Sequence, residues 1–413
     1  MKEWEDTTVR EIRSYLGLRF LMGLRSHCQV RGFWSIHFAS SIFPKTMTRD
    51  RFDSLTSAIH FVENEEERQG DDRLWKVRPV LDVLDETFRT VFIPNKTITV
   101  DERLWAFKRR HHAVQYNPSK RARRGMKVYK LCSFDGPEAG YTSAFKIYTG
   151  QDRGECPASM KAVIDLLEKA HLFDKGYEMH TDRWYSSPTL FNHLQARKTS
   201  AVGTVHNNRR GMPADLRASR GQIDFQSTPT GMMCLQWVDK RAVTMLSTAH
   251  TSRIVTLPPN RRGEQRSKPE VVVSYNNGIK GVDLSDQLAR SYPSARKTIK
   301  WHKIFNLLDM TVVNALAVHR VLGGKLTQVD FRLELVHGLL QWGGRPGTFR
   351  RVPPWQQEKQ DDQQTHMPAD TPFRCWRCSY CWNVHRRRKE TRVMCASCKI
   401  SLCASPCFKE FHT

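Results

Sequence analysis

The 413-residue chain lacks any apolar run of the roughly 18 residues that a membrane-spanning helix needs. Its most apolar helical stretch, Ile304 to Leu322, is interrupted by Asn306, Asp309, Asn314, His319 and Arg320, so a membrane span is excluded there and a soluble chain is expected. The opening MKEWEDTTVR has no apolar signal core, and secretion is not expected. Cysteine is sparse over most of the length: Cys28, Cys132, Cys156 and Cys234 are scattered, which excludes a disulfide framework for the body of the chain. Acids are also under-represented. Against 66 Lys and Arg stand 42 Asp and Glu, leaving a net charge of +24 and a field suited to a polyanion such as nucleic acid. No internal repeat of solenoid length occurs, which excludes a repeat array.

What remains is ample core material: 39% hydrophobic residues, with 11 Trp and 20 Phe. The length exceeds the usual ceiling for one core, so two or three domains are expected. Residues 1–95 read as a helical dimerisation or DNA-binding region, with apolar stripes Val9, Ile12, Leu16, Phe20, then Phe52, Leu55, Ile59, Val62, then Val80, Val83, Leu84, Phe88. Thr8 and Glu11 give a helix-start signature. From 96 to 206 the pattern alternates. TITVDERLWAF (97–107), MKVYKLCSF (126–134) and YTSAFKIYTG (141–150) read as strands, and SMKAVIDLLEKAHLF (159–173) as a helix. A strand at YEMHTDRW (177–184), a short helix at 188–197 and a strand SAVGTVH (200–206) follow. This order matches a ribonuclease H-like α/β architecture. Residues 207–278 read as a β-rich insertion with strands at MMCLQWVD, AVTMLST and EVVVSYN; 279–342 return core helices; 343–372 form a polar linker; and 373–413 are cysteine-rich.

A carboxylate inside an apolar strand needs a reason, because burying it unpaired is costly. For Asp101 and Glu102 one reason is an ion pair with Arg103 or Arg109. Another is a metal. Asp101, Asp182 and, on a later helix, Asp283 and Asp286 all stand at expected element ends. In such a sheet Asp101 and Asp182 lie on neighbouring strands, and a helix acid can reach them. A self-repelling oxygen cluster suits Mg²⁺ or Mn²⁺, and two ions about 3.5–4 Å apart activate a nucleophile and stabilise the leaving oxygen of a phosphodiester. For Asp283 and Asp286 the alternative is helix-dipole compensation.

The phrases TVDERLWAF, HTDRWYSSPTLFNHL, AVGTVHNNRRGMP, SYNNGIKGVDLSDQL and RKTIKWHKIFNLLDMTVVNA, in this order, closely resemble the piggyBac family of DDE/DDD transposases over roughly residues 1–340. The resemblance implies catalytic aspartates at Asp101, Asp182 and Asp283, with Asp286 a further acid near the site. It also implies cut-and-paste transposition through hairpinned ends, a TTAA target and double-stranded DNA terminal repeats as partner; a nuclear location is expected. A homodimer is expected because two ends must be brought together. Departures fall in loops: Phe107, Lys108, Arg109, Arg110 where the family commonly has Phe-Lys-Gly-Arg, Lys120-Arg121 where it has Lys-Pro, and Arg124-Gly125 where it has Trp-Gly. Full acids with altered loops leave a second reading, a domesticated, catalytically silent, sequence-specific DNA-binding protein.

Seven cysteines crowd the tail: Cys375, Cys378, Cys381, Cys395, Cys398, Cys403 and Cys407, with His385 and His412 as nitrogen donors. So short a segment has too little core to fold unaided, and tetrahedral Zn²⁺ supplies what is missing; free or redox thiols are the alternative. Two ions need eight ligands. Cys378, Cys381, Cys395, Cys398, Cys403, Cys407 and His412 make seven, and Cys375 or His385 the eighth, with the pairing left open. The runs Lys120, Arg121, Arg123, Arg124 and Arg386, Arg387, Arg388 suit phosphate contact, the first also nuclear import, or are solvated loops. Trp237 either stacks on an unpaired base or packs in a core.

Overall fold

The computed structural model describes residues 4–25, 29–35, 41–63, 72–106, 114–118, 123–150, 156–260, 263–294, 302–340, 367–370, 376–385, 387–396 and 400–412. The chain divides into two compact units, Met1–Gly343 and Gly344–Thr413.

The first unit opens with α1 (Val9–Leu24), α2 (Ile42–Thr46), α3 (Arg49–Ala58) and α4 (Arg78–Val91). Thr8 caps α1 by accepting from Glu11 N, and Thr48 caps α3 by accepting from Arg51 N, each satisfying one of the amides that a helix start leaves open. Arg51 then grips both oxygens of Glu11 at 2.6 and 2.7 Å and ties α3 to α1. On α4 the buried residues are Leu81 and Phe88, whereas Val83, counted into the apolar stripe above, is solvent-exposed.

The sheet that follows is built from β1 (Thr97–Ala106), β2 (Val114–Tyr116), β3 (Arg124–Ser133), β4 (Thr142–Ile147), β5 (Glu178–Thr181), β6 (Ser200–Thr204), β7 (Ile223–Ser227), β8 (Met233–Val238) and β9 (Ala242–Ser247). Its order is β2-β3-β1-β5-β6-β9-β8-β7, with β4 also beside β3. β1 is antiparallel to β3 and parallel to β5; β5 is parallel to β6. Alternation assigns the faces. Ile98, Val100, Met179 and Ala201 point to the face covered by α5 (Ala158–Lys169) and α6 (Pro188–Ala196) through Ala162, Val163, Leu166, Leu167, Leu190, Phe191 and Leu194. Each of these leucines, removed wholly from water, contributes about 2 kcal/mol of transfer free energy.

The opposite, front face is covered by later helices, α7 (Glu270–Gly278), α8 (Gly281–Ser291) and α9 (His302–Val321), while α10 (Gln328–Leu340) packs against α1. Val271 and Val272 of α7 pack on Val202 and Met245, while Leu307 and Met310 of α9 join Phe88, Met126, Val128 and Phe145. The N-terminal helices close on the end of the unit, Tyr15, Leu18 and Phe52 sharing a cluster with Val312, Val336 and Leu340.

Two expectations are corrected. EVVVSYN is not a strand but α7: Pro269 sets its start, and Val271, Val272 and Tyr275 at helical spacing meet the sheet, so tertiary burial overrides the β-preference of a valine run. Within the β-rich insertion, β9 pairs with β6, so β7–β9 continue the main sheet; a short pair, β10 (Ile254–Thr256) and β11 (Ser267–Pro269), lies apart from it. Finally, β1 does not end at Asp101 but runs five residues further against β3.

In the second unit β12 (Pro368–Asp370) pairs with β15 (Val393–Cys395), and β13 (Trp376–Arg377) with β14 (Glu390–Thr391). Two short helices, α11 (Ser379–Asn383) and α12 (Cys407–His412), accompany them around a core of Cys378, Cys381, Cys403 and Cys407.

Candidate active site and metal centre

Val100 pairs with Thr181 at the end of the parallel register, so Asp101 and Asp182 are the next residues on adjacent strands. Both share the front face with Thr99 and His180 by alternation. There the chains part. β1 continues, with Asp101 opposite Lys130, while the other strand turns at Asp182. That turn is built locally: Asp182 Oδ1 accepts from Trp184 N at 2.9 Å, and its carbonyl accepts from Tyr185 N and Ser186 N at 3.1 and 3.0 Å. Gly203 on β6 leaves room for it, since a Cβ there would collide with Ser186 Oγ and lie 2.6 Å from Thr181 O.

The two acids act on the same phenols. Burial first, then Glu102, Asp101 and Asp182, push the Tyr185 hydroxyl well above its ordinary range. Tyr275 on α7 is also raised by burial, with Asp182 and Asp101 adding to it.

α8 is brought onto the sheet by glycine. Thr99 Oγ1 donates to Gly278 O, a side chain at Gly278 would run into the His180 ring, and a Cβ on Gly281 would lie 2.8 Å from Ser133 O. Asp283 stands exposed in the first turn of α8. Asp286, one turn on, faces the sheet: its Oδ2 lies 3.0 Å from Arg103 Nη1 and its Oδ1 3.2 Å from Lys130 Nζ. Lys130, only 2% exposed, also donates to Ser285 Oγ at 2.6 Å. Burial lowers the Arg103 guanidinium, and Asp286 opposes that shift. Arg103, read above as a partner for Asp101 or Glu102, thus reaches across to α8. Glu102 points to the back face, where it accepts from the Tyr185 hydroxyl at 2.7 Å. Among the described residues, Asp101, Asp182 and Asp283 do not converge to the mutual closeness of a metal-ligand set.

The tail cysteines do. The ligand atoms of Cys378, Cys381, Cys403 and Cys407 all lie within 4.8 Å of one another, and all four residues are buried. Cys381 Sγ is 3.4 Å from Cys407 Sγ and 3.9 Å from Cys403 Sγ. Burial acts to raise the Cys378 thiol, but the hydrogen bonds from the backbone N–H groups and thiols of Cys381 and Cys403 together bring it below its ordinary value; burial pushes Cys403 up to about 11. This quartet could hold a metal ion. Cys395 is buried outside it, the His412 ring bonds Phe408 O through Nδ1 at 2.7 Å, and His385 is exposed against Tyr380. Cys375 and Cys398 lie outside the described residues, as do Lys120, Arg121 and Arg386. Arg123, Arg124, Arg387 and Arg388 are exposed. Trp237 packs beside Val271 and Val272, with Lys268 Nζ 5.7 Å from its ring centre, which is the core-packing fate.

Lys130, Ser285, Tyr185, Lys127 and Trp184 were not singled out from sequence. The one available signal was Lys130, a cation in an otherwise apolar strand.

A family model described as Transposase IS4 matches residues 1–316. Human PiggyBac transposable element-derived protein 3 is 25% identical over 98% of this chain and 70% of its own length. Human PiggyBac transposable element-derived protein 2 is 25% identical over 76% of this chain and 56% of its own. The chain therefore spans only part of both relatives. A solved piggyBac transposase synaptic complex with hairpin DNA shares the mixed α/β fold, with a TM-score of 0.73 at 22% identity, over 98% of this chain and 90% of that one. With about three quarters of its length inside the family model, the chain belongs to the piggyBac family of transposases.

Proposed function

We propose that the chain is a metal-dependent DNA transposase, cutting and joining phosphodiester bonds at transposon ends with Asp101, Asp182 and Asp283 as the metal-holding acids. The observation that carries this reading is the register Val100 to Thr181, which makes two carboxylates neighbours on one face beneath α8. The order β3-β1-β5-β6, with β1 parallel to β5 and β6 beyond it, supports a ribonuclease H-like core. The donor chemistry fits Mg²⁺ or Mn²⁺, since all the donors are carboxylate oxygens, and Asp286 beside them engages Arg103 and Lys130. Bound there, such ions would supply Lewis acidity and an activated oxygen nucleophile. The chain itself contributes placement. The Asp182 turn presents one carboxylate, β1 another, and the Asp286 ion pairs seat α8, whose first turn carries the exposed Asp283.

For the quartet, Zn²⁺ fits best. Tetrahedral bonds of about 2.3 Å imply sulfur–sulfur edges of roughly 3.8 Å, close to those seen, and would hold a tail with little apolar core. The net charge of +24 and the exposed arginines support double-stranded DNA as partner, a homodimer follows from the need to pair two ends, and a nuclear location goes with that substrate.

Purified protein incubated with Mg²⁺ or Mn²⁺ and a library of terminal-repeat DNA should nick a cognate end, and Asp101→Asn, Asp182→Asn and Asp283→Asn should each abolish nicking while DNA binding persists. Nicking retained in Asp283→Asn would remove that residue from the assignment. Binding without any nicking by the wild type would favour the silent DNA-binding reading.

A further inference from the structure

On the back of the sheet, opposite the acids, the turn that carries Asp182 is tied to the strand that carries Asp101. Tyr185, three residues beyond Asp182, is fully buried and donates its hydroxyl to Glu102 Oε2 at 2.7 Å. Lys127 on β3 places Nζ 3.9 Å from the same oxygen, and 3.9 and 4.7 Å from the ring centres of Trp184 and Tyr129. Trp184 stacks on Tyr129 at 6.0 Å and meets Tyr185 edge-on at 4.7 Å. Three elements, β1, β3 and the turn after β5, therefore converge on one carboxylate that does not share the acids' face.

We propose that the Tyr185–Glu102 hydrogen bond, steadied by Lys127 on its aromatic seat, is a positioning device. It fixes the Asp182 turn against β1, and so sets how tightly a divalent cation is held by Asp101 and Asp182. The inference rests on the reading of those two acids as metal ligands. Asp101 and Asp182 repel one another, and the parallel pairing that aligns them stops at Val100 and Thr181. Beyond that point the tie joins the turn to β1 directly, alongside the turn's own hydrogen bonds, the bonds from Arg209 to Arg183 O and Trp184 O, and the stack of Trp184 on Tyr129. Packing alone would need the Tyr185 ring; the tie needs the hydroxyl. Glu102 serves as an acceptor, a role an amide oxygen can also fill.

The test titrates Mn²⁺ into zinc-loaded full-length protein and reads free Mn²⁺ by electron paramagnetic resonance, with the sites lost in Asp101→Asn and Asp182→Asn defining the acid site. Tyr185→Phe and Glu102→Ala should each weaken that site roughly tenfold or more, as loss of a group orienting a ligand does. The double variant should be no weaker than either single one, because one interaction is being removed twice. Glu102→Gln should stay within about twofold of wild type. Leu18→Ala, which loosens the separate cluster of the N-terminal helices, separates positioning from stability. Equal weakening in Leu18→Ala, or unchanged affinity in Tyr185→Phe, overturns the proposal. Mn²⁺ binding that survives both Asp101→Asn and Asp182→Asn overturns the metal reading itself, and the positioning role with it.

Discussion

Asp283 and Asp286 lie one helical turn apart and differ in what they touch. Asp286 neutralises Lys130 and Arg103, both largely buried, so removing it strands two cations in a poorly solvated place. Asp286→Ala should therefore lower unfolding free energy in urea by about 3–5 kcal/mol. Asp283→Ala, at an exposed position, should change it by no more than about 0.5 kcal/mol. If the two variants unfold alike, the ion pairing described for Asp286 is wrong. The sequence shows that the two share a helix face. It cannot show which one meets a cation, because Lys130 is 156 residues from Asp286 and only the packing of α8 on β3 unites them. Asp101 and Asp182 were more legible, since strand periodicity and the parallel crossover fix neighbours without knowledge of side chains.

Among the elements, the α7–α8 junction lies close against the sheet, and its glycines are the reason. Gly278→Ala would drive a methyl group into the His180 ring, in contact with α7 on one side and β5 on the other. It should cost at least about 2 kcal/mol, in the range of core overpacking. Gly338→Ala in α10 is the contrasting case: a Cβ there meets nothing within 4 Å, so the substitution should stabilise by about 0.5–1 kcal/mol through helix propensity alone. Thermal or urea unfolding of the two variants, measured side by side, checks both signs. The same junction explains where sequence reading failed. A run of three valines, Val271 to Val273, favours a strand locally, yet the burial of Val271 and Val272 against Val202 and Met245 is available only to a helix entering from Pro269. Long amphipathic helices such as α5, by contrast, declare themselves through their spacing alone.

For the whole molecule, charge sets the partner and the sheet sets the integrity. Affinity for duplex DNA should fall steeply with salt, and replacing exposed Arg123, Arg124, Arg387 and Arg388 by Gln should flatten the slope of log K against log salt by about 0.9 for each phosphate that is no longer neutralised. A slope that does not move would place those side chains away from the backbone of the DNA. The sheet has a different consequence, which lies in the connection between β10 and β11. A protease cut in residues 257–266 would leave Asp101 and Asp182 on one fragment and Asp283 on the other. The β10–β11 pairing, Val271 and Val272 on β6 and β9, the Thr99–Gly278 bond and the Asp286 ion pairs all cross that cut. The nicked protein should therefore migrate as one particle on a native gel, and two separately produced halves should find each other, since neither alone holds all three of the acids proposed to bind metal.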